Sequence, residues 1–365
     1  MTITETPLYL PQQVSDDRES FWSLPRAELA QSFEYSFSQE LFIPDETTGL
    51  NITIKAETKS GNINGRLNED STLITPIGNG RKLVAVLDGT SSQRDIAGLA
   101  RYGLSGACYV SHLVSYSFTR SSEYQSLVLE GDISAADIMR TMNGWLRSRL
   151  SQIEGVDYQD VLSIPGMAAT FCLIDAHKNE ISVAHVADTL AFAYFDNGDV
   201  TELTVNQNER FDIETLNLLL DLSKMHQITP RQVLETPELK SLVKEQLRIS
   251  FTKKINTPDG CGILNGMDEL TSNNLIYETK LPITPDLRKL ILASDGAVLP
   301  YQLNGLSKDS VLWNLLEDTE IYTIGKQLKF LQKGAAELLR DTEYKNILRL
   351  KPSDDATIIE VDFSS

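Results

Sequence analysis

Carboxylates stand at the ends of apolar segments in this sequence. The apolar run at 83–87 leads directly into Asp88-Gly89, and the run at 290–293 leads through Ser294 into Asp295-Gly296. Strands of one sheet can bring such ends together, and clustered carboxylates repel each other unless cations lie between them. Because a group made only of oxygen ligands favours hard divalent cations, this pattern points to Mg²⁺ or Mn²⁺.

A single Asp-Gly is weak evidence, since Asp and Gly are common turn residues. We interpret Asp259-Gly260 as such a turn. The hypothesis of a site depends on repetition, because acids also flank other apolar segments. These further acidic elements are Asn68-Glu69-Asp70, Asp188 and Asp354-Asp355.

The periodicity predicts an α+β fold. Strands come first and last with helices between them, which favours an antiparallel sandwich flanked by helices. An apolar stripe from Ile96 to Val114 predicts one helix of about six turns. A β-meander is expected from Thr170 to Val200 and onward, and Pro230 and Pro237 are expected to interrupt a helical stretch at 213–249. The remaining elements predicted are a strand at 83–87, helices at 134–150 and 325–340, and strands at 290–293 and 357–361.

Composition narrows the class of protein. The 365 residues include 33 Lys and Arg against 51 Asp and Glu, a net charge of −18, which disfavours a nucleic-acid partner. The apolar runs are far shorter than the roughly 20 residues that span a bilayer, and the N-terminus does not resemble a secretion signal. Cys108, Cys172 and Cys261 have no metal-ligand spacing. We therefore expect a soluble, cytoplasmic protein with reduced thiols and no membrane partner.

Six short elements follow one another in an order that resembles the metal-dependent protein phosphatase 2C family, in its bacterial form. The resemblance runs from about Ile52 to Phe363, and residues 290–296 give the closest single match. In chain order the elements are Asn68-Glu69-Asp70, Leu87-Asp88-Gly89, Gly166-Met167-Ala168-Ala169-Thr170, Ala187-Asp188-Thr189, Ala293-Ser294-Asp295-Gly296 and Asp354-Asp355-Ala356-Thr357.

The resemblance implies a four-layer αββα sandwich and a site for two Mn²⁺ or Mg²⁺ ions. Asp88 would bridge the ions, with Glu69 and the carbonyl of Gly89 on one of them. Asp295 and Asp354 would bind the other ion, which makes Asp88 and Asp295 the central catalytic acids. Asp70 would support the ligands, and Asp188 would help to bind a third, weaker ion. The family hydrolyses phosphoserine and phosphothreonine by in-line attack of a metal-bridging hydroxide.

Four positions depart from the family pattern. Thr90 stands where many members have a His that protonates the leaving oxygen, so that role is empty or belongs to water. The family's phosphate-binding Arg is displaced by one position to Arg66, which either still reaches the phosphate or leaves binding to the metals. Ala187 replaces a Gly, a small steric change, and Asp355 replaces an Asn and adds a charge near the second metal.

The remaining candidates are interpreted as structural. His112 and His185 are expected to be hydrogen-bonded within the fold, His177 to face solvent, and Cys172 to pack in a core strand. The segment 260–266 is not a phosphate cradle, because no Lys-Ser/Thr follows it. The resemblance places it in a variable loop region beside the metals.

The sequence thus predicts a metal-dependent serine/threonine protein phosphatase and leaves two alternatives open. One is a pseudophosphatase that binds partners without turnover, and the other is a phosphatase of small metabolites. The acidic surface favours a phosphoprotein substrate with a basic surface over a highly anionic metabolite. We expect a monomer, with residues 1–50 as an N-terminal extension packed on a phosphatase domain at 51–365.

Overall fold

The computed structural model describes residues 37–44, 51–59, 67–78, 80–90, 94–120, 132–297 and 355–364. Within these ranges the strands, in chain order, are β1 (Phe37–Pro44), β2 (Asn51–Lys59), β3 (Asp70–Pro76), β4 (Arg81–Gly89), β5 (Met167–Asp175), β6 (Glu180–Val186), β7 (Leu190–Phe195), β8 (Val200–Glu202), β9 (Tyr277–Pro282), β10 (Leu287–Ala293) and β11 (Ala356–Ser364). The helices are α1 (Ala97–Ala100), α2 (Gly106–Arg120), α3 (Ala135–Leu150), α4 (Glu209–His226), α5 (Pro230–Glu235), α6 (Pro237–Lys254) and α7 (Glu269–Ser272).

The strands form two antiparallel sheets. Sheet A has the order β1-β2-β11-β10-β7-β8, and sheet B has the order β3-β4-β5-β6-β9. β1 pairs along its length with β2, so residues 37–44 form an edge strand of sheet A. β11, the last strand, lies in the interior of sheet A between β2 and β10.

The two sheets pack face to face around an apolar core. Alternate residues of β4, such as Val84 and Val86, meet residues of sheet A such as Ile54, Leu290 and Ile359. The other face of β4 contributes Leu83, Ala85 and Leu87 to a second core against the helices. A strand buried on both faces needs apolar residues at every position, which explains the continuous run at 83–87.

A helical layer made by α2 and α3 covers the outer face of sheet B. α3 begins with a capping box, in which the Ser134 hydroxyl oxygen accepts from the Asp137 backbone N–H and the Asp137 carboxylate accepts from the Ser134 backbone N–H. The outer face of sheet A is also apolar and buried, including Phe192, Ile291 and Ile358. The predicted αββα fold class is therefore confirmed, while the helix predicted at 325–340 lies outside the described residues.

Two sequence predictions about local structure are wrong. The helix expected from Ile96 to Val114 is divided into α1 and α2, because Gly103 adopts a left-handed conformation (φ 72°) between them. The expected meander does not stay in one sheet: β5 and β6 lie in sheet B, whereas β7 and β8 lie in sheet A. The chain crosses between the sheets at Ala187, Asp188 and Thr189, so the crossing places an acid at the boundary of the sandwich.

The helices α4, α5 and α6 form an excursion with a small apolar core of its own. As predicted, Pro230 and Pro237 delimit these helices, and each occupies the first turn of a new helix, where a missing N–H has no cost. No helix among the described residues is long and apolar enough to cross a membrane.

Candidate metal-binding active site

Six of the predicted acids lie at one edge of the sandwich, including Glu69, which directly precedes Asp70. In sheet B, Asp70 at the start of β3 pairs directly with Asp88 at the end of β4. In sheet A, the end of β10 lies between the start of β11 and the start of β7, and these three strand ends carry Asp295, Asp355 and Asp188. The antiparallel pairing explains why acids far apart in sequence share an edge.

A chain of hydrogen bonds through Ser294 joins the two sheets at this edge. The Ser294 hydroxyl donates to Asp70 Oδ2 at 2.7 Å and accepts from the backbone N–H of Thr357 at 3.0 Å. Ser294 is fully buried and Asp70 is 1% exposed. Because a buried carboxylate is costly without hydrogen bonds, this contact stabilises Asp70 as a structural acid behind the edge.

Glu69 is bound at both its backbone and its side chain. Its carbonyl oxygen accepts from the Gly89 N–H at 3.1 Å and from the Ser111 hydroxyl at 2.6 Å. Glu69 Oε1 accepts from the Ser105 hydroxyl at 2.6 Å, and the same Ser105 oxygen accepts from the Cys108 N–H, as an N-cap of α2 does. The Glu69 carboxylate therefore lies at the N-terminal end of α2, the positive end of the helix dipole.

Asp355 contacts the opposite sheet. Its Oδ2 accepts from the backbone N–H of Glu69 at 2.6 Å. An Asn at this position could accept the same bond through its amide oxygen, so the extra charge is not required by the contact. Burial raises the pKa of the Cys108 thiol in α2, and the negative charges of Glu69 and Asp355 raise it further.

The glycines of Asp88-Gly89 and Asp295-Gly296 allow close approach of backbone. A Cβ on Gly89 would lie 2.7 Å from the backbone of Ala107 in α2. A Cβ on Gly296 would lie 1.7 Å from the carbonyl oxygen of Asp355. Neither glycine has a positive φ, so it is packing rather than conformational freedom that requires them.

Asp188 is positioned by the crossing between the sheets. Its Oδ2 accepts from Asn208 Nδ2 at 2.8 Å, and the next residue, Thr189, shares a 2.7 Å hydroxyl contact with Thr170 of β5. Ala187 has φ 66°, a left-handed conformation that costs a non-glycine residue roughly 1–2 kcal/mol. The replacement of the family's Gly by Ala is therefore a backbone strain and not the small steric change expected from the sequence.

Thr90 and the histidines are held within the fold. The Thr90 hydroxyl donates to the Gly166 carbonyl at 3.0 Å. His112 Nε2 lies 3.0 Å from the Asn68 carbonyl, and burial lowers the pKa of His112 to about 4. His185 Nε2 bonds the Val205 carbonyl, but its buried Nδ1 has no hydrogen-bond partner among the described residues, so within them the expectation of a hydrogen-bonded His185 holds for one nitrogen only.

The cysteines behave as packing residues. Cys108, Cys172 and Cys261 are buried free thiols. Burial raises the pKa of Cys172 to about 12, which keeps this thiol protonated and unreactive. The interpretation of Cys172 as a core residue agrees with its position in β5 against Ile174 and Val183.

Two predicted site residues, Arg66 and Asp354, lie outside the described residues. Among the residues that are described, no three Asp, Glu, His or Cys side chains are close enough to bind one ion. The donors at the edge are nevertheless all oxygens, and Glu69, Asp88, Asp295 and Asp355 are only partly buried. In the type of donor, this set fits a hard divalent cation.

Sequence reasoning missed the residues that hold the acids in place. Ser105, Ser294 and Asn208 each donate a side-chain hydrogen bond to one predicted acid. For Ser294 a signal was present, since it lies inside the quoted Ser-Asp-Gly element. For Asn208 there was none, because its position 20 residues after Asp188 has meaning only in the fold.

Comparison with known proteins identifies the family. A family model described as protein phosphatase 2C matches residues 59–333, and the chain belongs to this family. No curated protein sequence matches the chain.

Three solved structures resemble the chain along most of its length. The serine/threonine phosphatase PstP/Ppp of Mycobacterium tuberculosis has 18% identity and a TM-score of 0.44, covering 86% of this chain and 99% of its own. The phosphatase 2C of Toxoplasma gondii has 14% identity and a TM-score of 0.44, covering 90% and 100%. RsbX in complex with magnesium has 12% identity and a TM-score of 0.42, covering 89% and 100%.

Proposed function

We propose that this chain is a divalent-metal-dependent serine/threonine protein phosphatase. Membership of the protein phosphatase 2C family supports phosphatase activity. The single observation that favours an active member is the edge of the sandwich along which Glu69, Asp88, Asp295 and Asp355 lie, all four of them partly exposed. A chain without a use for metal would have no need of four partly exposed acids at one boundary, given their mutual repulsion.

In this proposal Asp355 positions Glu69 through its backbone N–H, and the other acids act on the ions. Glu69, Asp88, the Gly89 carbonyl, Asp295 and Asp354 would hold the two Mn²⁺ or Mg²⁺ ions, with Asp88 shared between them. Asp70 would support these ligands through its hydrogen bond from Ser294, and Asp188 would help to hold a third, weaker ion. When bound, such ions lower the pKa of a water and balance the charge of the phosphoryl oxygens.

No side chain among the described residues is assigned as the proton donor to the leaving oxygen. Thr90 donates its hydroxyl proton to the Gly166 carbonyl, and His112 is bonded to the Asn68 carbonyl with a lowered pKa. We therefore assign this proton to water. This choice predicts that substrates with a good leaving group, such as p-nitrophenol, react faster than alkyl phosphates.

The proposed substrate is a phosphoprotein with a basic surface. The net charge of −18 favours such a partner by long-range attraction. A cytoplasmic location and a monomeric state remain proposals of the same kind, as does the division of the chain at residue 50.

The test is hydrolysis of p-nitrophenyl phosphate and of a phosphothreonine peptide in Mn²⁺ or Mg²⁺, with EDTA as a control. The matched variant is Asp295→Asn, which keeps the size of the side chain and removes its charge. We expect metal-dependent release with the wild type and a large loss with the variant. Release no greater than that of Asp295→Asn would contradict the proposal and favour a pseudophosphatase. Release from the small ester alone would favour a metabolite phosphatase.

A second experiment tests Arg66 as the substrate ligand. The variant Arg66→Ala should raise KM for the phosphopeptide at least several-fold, because a lost guanidinium–phosphate bond removes about 1.5–3 kcal/mol of binding. Arg288→Ala is the control, since Arg288 forms an exposed ion pair with Asp196. An unchanged KM in Arg66→Ala would mean that the metals alone bind the phosphate.

A further inference from the structure

Gln207 and Asn208 lie directly before α4 and contact the crossing that carries Asp188. The Gln207 backbone N–H donates to the Ala187 carbonyl at 2.8 Å, and Gln207 Oε1 accepts from the Ala187 N–H at 3.0 Å. The backbone N–H and the carbonyl of Ala187 are thus both hydrogen-bonded to Gln207, the first to its side chain and the second to its backbone. These bonds are what keeps Ala187 in a left-handed conformation.

The Gln207 side chain also binds the segments that follow the helical excursion. Its Oε1 accepts from the Gly262 N–H at 2.7 Å, and its Nε2 donates to the Leu275 carbonyl at 2.8 Å. The returning segment packs its Ile255, Cys261 and Ile263 against Ala187. The point where the excursion leaves the sandwich and the point where it returns are therefore both joined to the residue before Asp188.

Asn208 completes the connection to the acid itself. Its Nδ2 donates to Asp188 Oδ2 at 2.8 Å, and its backbone N–H donates to Asn206 Oδ1 at 2.8 Å. A neutral amide donor fixes the rotamer of a carboxylate and favours its charged form without cancelling the charge.

We propose that Asn208 is a positioning residue that sets the affinity of Asp188 for a divalent ion and couples this affinity to the helices α4–α6. The inference rests on the proposed function only for the nature of the ion. Hydrogen-bond partners of metal ligands commonly change affinity by 10–100-fold when removed. A protein or peptide that displaces the root of α4 would then change how tightly the weaker ion is held.

The chain offers a matched control. Asn197 Nδ2 donates to Asp199 Oδ2 at 2.6 Å in the exposed turn after β7, whereas Asn208 binds the acid before β7. Asn197→Ala removes the same type of bond at the opposite end of the same strand. The variants to compare are Asn208→Ala, Asn208→Asp, Asn197→Ala and Asp188→Asn.

Calorimetric titration with Mn²⁺ measures the weaker ion without reference to activity. We expect Asp188→Asn to remove a weak binding phase and Asn208→Ala to weaken it about tenfold, with tight binding and Asn197→Ala unchanged. Asn208→Asp places a second carboxylate beside Asp188, so it should lower the melting temperature without metal and enlarge the gain on adding Mn²⁺. A general folding defect would lower the melting temperature of this variant but would not enlarge its gain on adding Mn²⁺.

The proposal is overturned if Asn208→Ala titrates like Asn197→Ala, or if the wild type shows no weak phase that depends on Asp188. Activity measured in parallel separates this failure from that of the proposed function. If the protein binds Mn²⁺ in two phases but hydrolyses no phosphoester, the proposed phosphatase activity is refuted. The titration of Asn208→Ala still decides the role of Asn208. An active phosphatase whose Mn²⁺ dependence ignores Asn208 would refute only the positioning role.

Discussion

The close approach of Gly296 to Asp355 allows a test of how accurately the edge must be built. In Gly296→Ala the new Cβ would lie 1.7 Å from the Asp355 carbonyl oxygen, whereas Cβ contacts under 3.0 Å essentially do not occur. The segment after β10 and the start of β11 must therefore separate by about 1.3 Å. The partner atom belongs to the backbone, so no side-chain rotation can relieve the contact.

Two effects of different size should follow. Overpacking of this kind costs about 1–3 kcal/mol of unfolding free energy, measurable by urea denaturation. The same shift moves Asp295 relative to Asp355, and a misplacement of about 1 Å can reduce catalysis about 100-fold. We therefore expect kcat with p-nitrophenyl phosphate to fall by about two orders of magnitude at saturating Mn²⁺, at a temperature where the variant is still folded.

The control is Gly144→Ala in α3, where a Cβ meets nothing within 4 Å. Replacing an unconstrained helical glycine should stabilise the protein by about 0.5–1 kcal/mol and leave kcat unchanged. If Gly296→Ala retained wild-type stability and kcat, the packing of Gly296 on Asp355 would not constrain the site, and the reasoning from close approach would be refuted.

Three further changes have expected outcomes. Ala187→Gly should raise the unfolding free energy by about 0.5–1 kcal/mol in urea by relieving the left-handed strain, and a destabilised variant would contradict this. Burial lowers the pKa of His185 to about 4, so the unfolded state binds this proton first and stability is lost as pH falls from about 6.5 to 4. His185→Gln keeps a donor for the Val205 carbonyl and should flatten the slope of stability against pH by up to about 1.4 kcal/mol per unit, whereas an unchanged slope would exclude His185. Asp355→Asn should keep kcat within a few-fold because its amide oxygen can accept the Glu69 N–H, while Asp355→Ala should lose much more; equal losses would show that the charge matters.

The sequence predicts this fold well where the signals are local. The run at 83–87 identified a central strand because burial on both faces requires apolar residues throughout. Acids directly after such strands could be placed at strand ends, and antiparallel pairing then brought Asp70 to Asp88 as expected. The capping box at Ser134 was readable for the same reason, since its partners are three residues apart.

What the sequence could not predict depends on contacts between distant residues. Ser294 and Asp70 are 224 positions apart, and Glu69 and Asp355 are 286 apart, so no window of sequence contains either bond. The left-handed Ala187 carries no local signal, because Ala rarely adopts this conformation and here Gln207 holds it there. By contrast, Gly103 was a readable helix terminator that the apolar stripe obscured.

The interior position of β11 has a consequence for how the protein forms during synthesis. Thr357 of β11 contacts Thr58 of β2, 299 positions earlier, and β11 separates β2 from β10 in sheet A. Sheet A therefore cannot close, and the acids at its edge cannot meet those of sheet B, until the segment 356–364 has left the ribosome. Until then β2 and β10 have unpaired edges, and such edges favour association with chaperones. A nascent chain that lacks this segment should have no activity.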